Sequence, residues 1–69
     1  MEYWVKISSS YQEGKYHYYN SVGAIVQRLK DCGCYGQNLK QKVLQNILFS
    51  QCFIINGFVI EVKQYIYEN

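Results

Sequence analysis

The chain has 69 residues and a formal charge of +2, with eight tyrosines, three cysteines and no proline. A domain this short buries only ~60% of the surface its unfolded chain exposes, so residues 1–69 are read as a single small domain. The weak positive charge does not by itself announce a nucleic-acid partner and has the wrong sign for a mimic of DNA, so any electrostatic reading must rest on where the lysines fall.

The first element is a strand. Tyr3-Trp4-Val5-Lys6-Ile7 alternates, with Tyr3, Val5 and Ile7 on one side and Trp4 and Lys6 on the other, in residue types that favour strands. Ser8 to Gly14 reads as a loop, and Lys15-Tyr16-His17-Tyr18-Tyr19 as a second strand, which makes a hairpin with a long connection. Ser21 can cap a helix through its hydroxyl. Val22, Ile25, Val26 and Leu29 then follow the i, i+3, i+4, i+7 rule, and Gly33 supplies a stop.

After the loop Cys32 to Gln37, Asn38 is placed to cap a second helix, with Gln41 completing a capping-box pair. Leu39, Val43, Leu44, Ile47 and Leu48 occupy one arc of that helix, and Gln41, Lys42, Gln45 and Asn46 the opposite one. Lys40 falls in the first turn of the apolar arc, where its long stem can snorkel out to water. The last third reads as a hairpin. Cys52-Phe53-Ile54-Ile55 and Phe58-Val59-Ile60-Glu61-Val62-Lys63 flank Asn56-Gly57, a pair suited to a type I′ turn. That turn sets Ile55 opposite Phe58, Ile54 opposite Val59, Phe53 opposite Ile60 and Cys52 opposite Glu61. The strand is allowed to run on through Gln64 to Tyr67.

The simplest assembly is an α+β domain of order ββααββ, an antiparallel four-stranded sheet with the helix pair on one face. The expected core is Val5, Ile7, Val22, Ile25, Val26, Leu29, Val43, Ile47, Leu48, Phe53, Ile55, Phe58, Ile60 and Val62. The uncovered face then carries some of Trp4, Lys6, His17, Tyr19, Ile54, Val59 and Tyr65. The start Met1-Glu2-Tyr3-Trp4 lacks the basic segment and apolar run of a secretion signal. The apolar stretch Ile47 to Ile60 is interrupted at Ser50-Gln51 and Asn56-Gly57, too often to span a bilayer. Cys32 and Cys34 are too close to bridge without strain, so free thiols in a reducing cytoplasm are expected.

Three sets of residues could carry function. Lys40, Gln41, Lys42, Gln45 and Asn46 on the second helix suit DNA: amides pair with an adenine edge, and lysine reaches phosphate or guanine. An ordinary solvated helix face draws on the same residue types. Trp4, His17, Tyr19 and Tyr65 are expected on the outer sheet as anchors of a protein interface; stacking of single-stranded bases is a lesser reading of the same aromatics. Cys32, Cys34, Cys52 and His17 could in principle hold zinc, but a Cys-x-Cys spacing does not match the usual ligand spacing, so no metal or other cofactor is expected. The acids are scattered, His17 has no orienting carboxylate beside it, and no phosphate-cradling glycine motif occurs. A Cys-His dyad from Cys32 or Cys34 is the only nucleophilic arrangement on offer, and a non-enzymatic protein is expected.

Gly14-Lys15, Asn20-Ser21-Val22 with Leu29, Asn38 to Ile47, and Gly57-Phe58-Val59 together resemble the modular DNA-binding repeat of homing endonucleases, in which a short strand precedes a Ser-capped, helix-turn-helix-like pair and a Gly-aromatic strand follows. The resemblance spans roughly Gly14 to Val62 as a pattern of residue types. It departs at Gly23-Ala24-Ile25-Val26, where the family has an acidic residue and paired alanines, and no nuclease domain is attached. It implies duplex contacts from Lys40, Gln41, Lys42 and Gln45.

One Ala, one Arg and abundant Tyr, Ile, Asn, Gln and Lys are a bias of AT-rich coding and suit a phage, plasmid or low-GC bacterium. The expected function is a small phage or mobile-element binding protein that engages DNA or a nucleoprotein complex through its second helix. The alternative is a protein-binding inhibitor of a host defence nuclease, of anti-CRISPR or anti-restriction type, acting through aromatic strands and loops. Homodimerisation through an apolar sheet face is expected to relieve the stability problem of so small a domain, and no membrane is involved.

Overall fold

The computed structural model describes residues 2–64; the expected strand extension past Gln64, and with it Tyr65, lies outside them. The elements run β1 (Tyr3–Ser8), β2 (Tyr16–Tyr19), α1 (Val22–Asp31), α2 (Leu39–Ile47), β3 (Cys52–Ile55) and β4 (Phe58–Gln64). The expected ββααββ order is therefore the observed one, and the domain is α+β. All three strand pairings are antiparallel, in the order β2-β1-β4-β3. The first and last strands thus meet at the centre, with Val5 opposite Val62 and Ile7 opposite Ile60. These pairs share one face of the sheet, where Val5, Ile60 and Val62 are buried.

The second hairpin forms with the register that its turn dictates. Asn56 and Gly57 have φ of 49° and 85°, the pair of positive angles that a type I′ turn demands. A further bond from Val62 N to Gln51 O (2.8 Å) carries the pairing one residue past β3. The first hairpin depends on a close approach instead. A Cβ at Gly14 would lie 1.9 Å from the carbonyl oxygen of Ile7, and Gly14 N donates to Ser8 Oγ at 3.0 Å.

Helix α1 begins as expected: Ser21 is extended (φ −157°, ψ 158°) and accepts from Ala24 N. It ends in a Schellman motif, in which Cys34 N donates to Leu29 O (2.8 Å) and Gly33 N to Lys30 O (3.0 Å), with Cys34 and Leu29 both buried at the same place. Helix α2 departs from expectation at its start. Asn38 sits in the left-handed region (φ 58°, ψ 33°) and its side chain makes no capping bond. A cap needs an extended backbone to swing the side chain over the first turn; Asn38 instead uses its tolerance of left-handed geometry to redirect the chain. The preceding loop is held from outside, with Asn56 Nδ2 donating to Tyr35 O at 2.7 Å.

The core comprises Tyr3 and Val5 of β1, Tyr19 of β2, Ile25, Val26 and Leu29 of α1, Cys34 of the loop between the helices, Leu39, Val43 and Ile47 of α2, and Phe53, Ile55, Ile60 and Val62 of the second hairpin. Ile7, Val22 and Phe58 are partly buried against it. Leu48, expected in the core, is 53% exposed, and Leu44 is 40% exposed. The buried stripe of α2 is a single row, Leu39-Val43-Ile47, and Leu48 is already the C-cap. The face assignment of β2 is also corrected. His17 pairs with Val5 and Tyr19 with Tyr3, which puts both on the helix-covered side. Tyr16 and Tyr18 take the outer face, because the parity of a hairpin loop decides which side each residue meets.

Candidate functional site

The outward face of α2 is presented as expected. Lys40, Gln41, Lys42 and Gln45 are all exposed. Asn46 is half-buried and its Nδ2 donates to Lys42 O (2.8 Å), so its amide is already engaged with its own helix. Helix α2 contains no acidic residue. Across the whole helix pair, Asp31 is the one acid against Arg28, Lys30, Lys40 and Lys42, and Asp31 accepts from Gln27 Nε2 at 3.1 Å.

The other carboxylates of the described residues gather at the outer sheet face and the adjoining loop. Lys6 Nζ lies 3.0 Å from Glu61 Oε2 and 3.6 Å from Glu13 Oε1. The Tyr16 hydroxyl donates to the same Glu61 oxygen at 3.1 Å. The hydrogen bond from Lys6, then that from Tyr16, holds the Glu61 carboxyl below its ordinary range. The Glu61 contact correspondingly raises Lys6. A hydrogen bond with Glu2 pushes the Tyr18 hydroxyl up. Charge is thus segregated: acids are consumed on one side of the sheet, and the helix layer keeps its cations.

Of the residues expected to anchor a protein interface, Trp4 is on the outer face, half-buried, with its ring 5.7 Å from that of Tyr18 at 68°, an edge-to-face pair. Lys63 Nζ stands 4.4 Å over the Tyr16 ring, and Ile54 is 70% exposed. Tyr16 and Tyr18 therefore fill the outer-face places expected of His17 and Tyr19. Tyr19 is buried in the core. Burial pushes its hydroxyl up, opposed by Arg28, which is hydrogen-bonded to it. His17 is exposed beside the helix layer, in a cleft shared with Arg28 and Cys32.

All three cysteines are free, Cys32 and Cys52 exposed and Cys34 buried. Burial raises the Cys34 thiol above its ordinary range, the opposite of an activated nucleophile. No group of three metal-ligating side chains comes together among the described residues, and none of their helices is long and apolar enough to cross a membrane. Two features escaped the reading of the sequence. One is an exposed apolar run at the end of α2, where Leu44 and Leu48 are joined by Phe49 at 86% exposure. Its signal was an apolar arc wider than one helix can bury against a sheet. The other is the cleft beside Arg28, for which linear spacing carries no signal. Comparison with family models, with curated proteins and with solved structures yields no match.

Proposed function

We propose that this chain is a small non-catalytic binding protein that engages DNA, or a nucleoprotein complex, through the outward face of α2. The observation that carries the reading is the charge segregation. A net charge of only +2 conceals a helix layer with four cations and one acid, while Glu2, Glu13 and Glu61 are occupied at the outer sheet face and its loop. Lys40 and Lys42 supply phosphate contacts, and Gln41 and Gln45 are exposed amides able to read base edges. Asn46 is the weakest of the five for that task, because its amide is tied to Lys42 O.

The test is a salt titration of binding to a random-sequence duplex by fluorescence anisotropy. Two to four phosphate contacts require log K to fall with log salt at a slope of about −2 to −4. The combined Lys40→Ala, Lys42→Ala and Gln45→Ala variant should flatten that slope by about 2. Binding that ignores salt, or that survives the triple variant unchanged, overturns the reading.

A second reading is supported by a different observation. Leu44, Leu48 and Phe49 are exposed together, and Ile54 is exposed on β3. Exposed apolar side chains grouped on a surface mark a protein-interaction site rather than a DNA-reading one. On that reading the partner is a host nuclease complex and the protein a phage-type inhibitor in the cytoplasm, or the partner is a second copy of the chain. Loss of partner capture in Leu48→Ser/Phe49→Ser, with the lysine variants unaffected, would favour it. Sedimentation of the free chain separates the homodimer from the monomer.

A further inference from the structure

The cleft between the first hairpin and the end of α1 lies outside the face just described. It has a volume of about 320 Å³, and Gln12, Lys15, His17, Tyr19, Arg28 and Cys32 contribute to its walls. Three separate elements bring donors to it: Lys15 from the end of the β1–β2 loop, His17 from β2, and Arg28 from the last turn of α1. Among the described residues, the side chains of Lys15 and His17 have no hydrogen-bond or ion-pair partner. Arg28 places its charge near the Tyr19 hydroxyl, and one hydroxyl can occupy only part of a guanidinium fork with five donors. The acid in the lining, Glu13, stands 3.6 Å from Lys6 Nζ.

A helix C-terminus ordinarily repels anions. Here the last carbonyls of α1 are occupied, those of Arg28, Leu29 and Lys30 accepting from Cys32, Gly33 and Cys34 N, and Arg28 and Lys30 place positive charge in that turn.

We propose that this cleft binds a phosphoryl group. Arg28 supplies a planar fork suited to two phosphate oxygens. Lys15 supplies a point charge on a flexible stem, and His17 a ring N–H from β2. The group could be carried by a free phosphate monoester or by a nucleic-acid strand, and only the second source rests on the reading of α2 as a nucleic-acid face.

The test uses the full chain labelled with ¹⁵N and titrated with inorganic phosphate, then with a 5′-mononucleotide, against sodium chloride of matched ionic strength. Saturable amide shifts confined to residues 12–17 and 28–32, absent with chloride, are the expected result. Arg28→Gln should weaken binding about tenfold. Because that change also removes the contact with Tyr19, the exposed pair Lys15→Ala/His17→Gln provides a second variant and should weaken it severalfold.

Shifts that never saturate, that centre on Lys40 and Lys42, or that are unchanged in both variants overturn the proposal. Saturation by the mononucleotide identifies a monoester as the source. Saturation by a short duplex, with none by the mononucleotide, identifies a strand phosphate. The Lys40→Ala, Lys42→Ala and Gln45→Ala variant keeps the phosphate response, so failure of the α2 reading and failure of the cleft are read separately.

Discussion

The two hairpins depend on glycine for different reasons, and a pair of substitutions separates them. Gly57 has φ 85°, yet a Cβ built there meets nothing within 4 Å. The penalty for a side chain at this site is therefore conformational and not steric against neighbours. Placing a residue in the left-handed region costs about 1–2 kcal/mol, and a β-branched side chain raises that toward about 3 kcal/mol. In a domain of this size each kcal/mol moves Tm by about 4–8 °C, so Gly57→Val should lower Tm by roughly 10–20 °C. Gly57→Asn should recover most of the loss, since Asn visits that region readily.

Gly14 reverses the pattern. Its Cβ would stand 1.9 Å from Ile7 O, a backbone atom that cannot swing aside. Gly14→Ala should cost about 2 kcal/mol or more, and Gly14→Asn should not rescue it. Thermal melts followed by circular dichroism measure all four variants. Equal losses for Gly57→Val and Gly57→Asn, or a neutral Gly14→Ala, would refute the reasoning.

The two helix starts should respond unequally to substitution of their first flanking residues. Ser21→Ala loses the bond to Ala24 N and should cost about 1 kcal/mol, whereas Asn38→Gly, at a left-handed site without a capping bond, should change stability by no more than a few tenths of a kcal/mol in urea denaturation. Stability should also depend on pH through the outer sheet face. Glu61 is held low by Lys6 and then Tyr16, so its contribution is complete above the ordinary carboxylate range and is lost as pH falls through its folded value. Lys6 is raised by Glu61, so its contribution is complete below the ordinary lysine range and is lost as pH rises through its folded value. Urea midpoints measured across pH should show a shallower acid limb in Glu61→Gln; parallel limbs would disprove the coupling.

Local chemistry made much of this protein legible in one dimension. The Asn56-Gly57 turn, the alternation of β1, the Ser21 cap and the Gly33 stop each act over a few residues, and each is found where its chemistry places it. The polar arc of α2 was legible too, because helical periodicity separates Gln41, Lys42 and Gln45 from Leu39, Val43 and Ile47, and Lys40, which falls in the apolar arc, is exposed in the first turn. Where local preference competed with an outside tether, it lost. Asn38 has the chemistry of a cap, but the loop before it is pinned to Asn56 and its backbone turns left-handed.

What only the tertiary structure decided are the facts that depend on distance across the chain. The pairing of β1 with β4 unites segments more than fifty residues apart, and no local pattern announces it. The face that Tyr16 and Tyr18 share follows from the parity of the first loop, so His17 and Tyr19 change sides with a one-residue difference in register. The exposure of Leu44 and Leu48 follows from how little of α2 the sheet can cover. The cleft of Lys15, His17 and Arg28 exists only because β2 and the end of α1 are folded together. Periodicity determines which residues share a face; packing alone determines what that face meets.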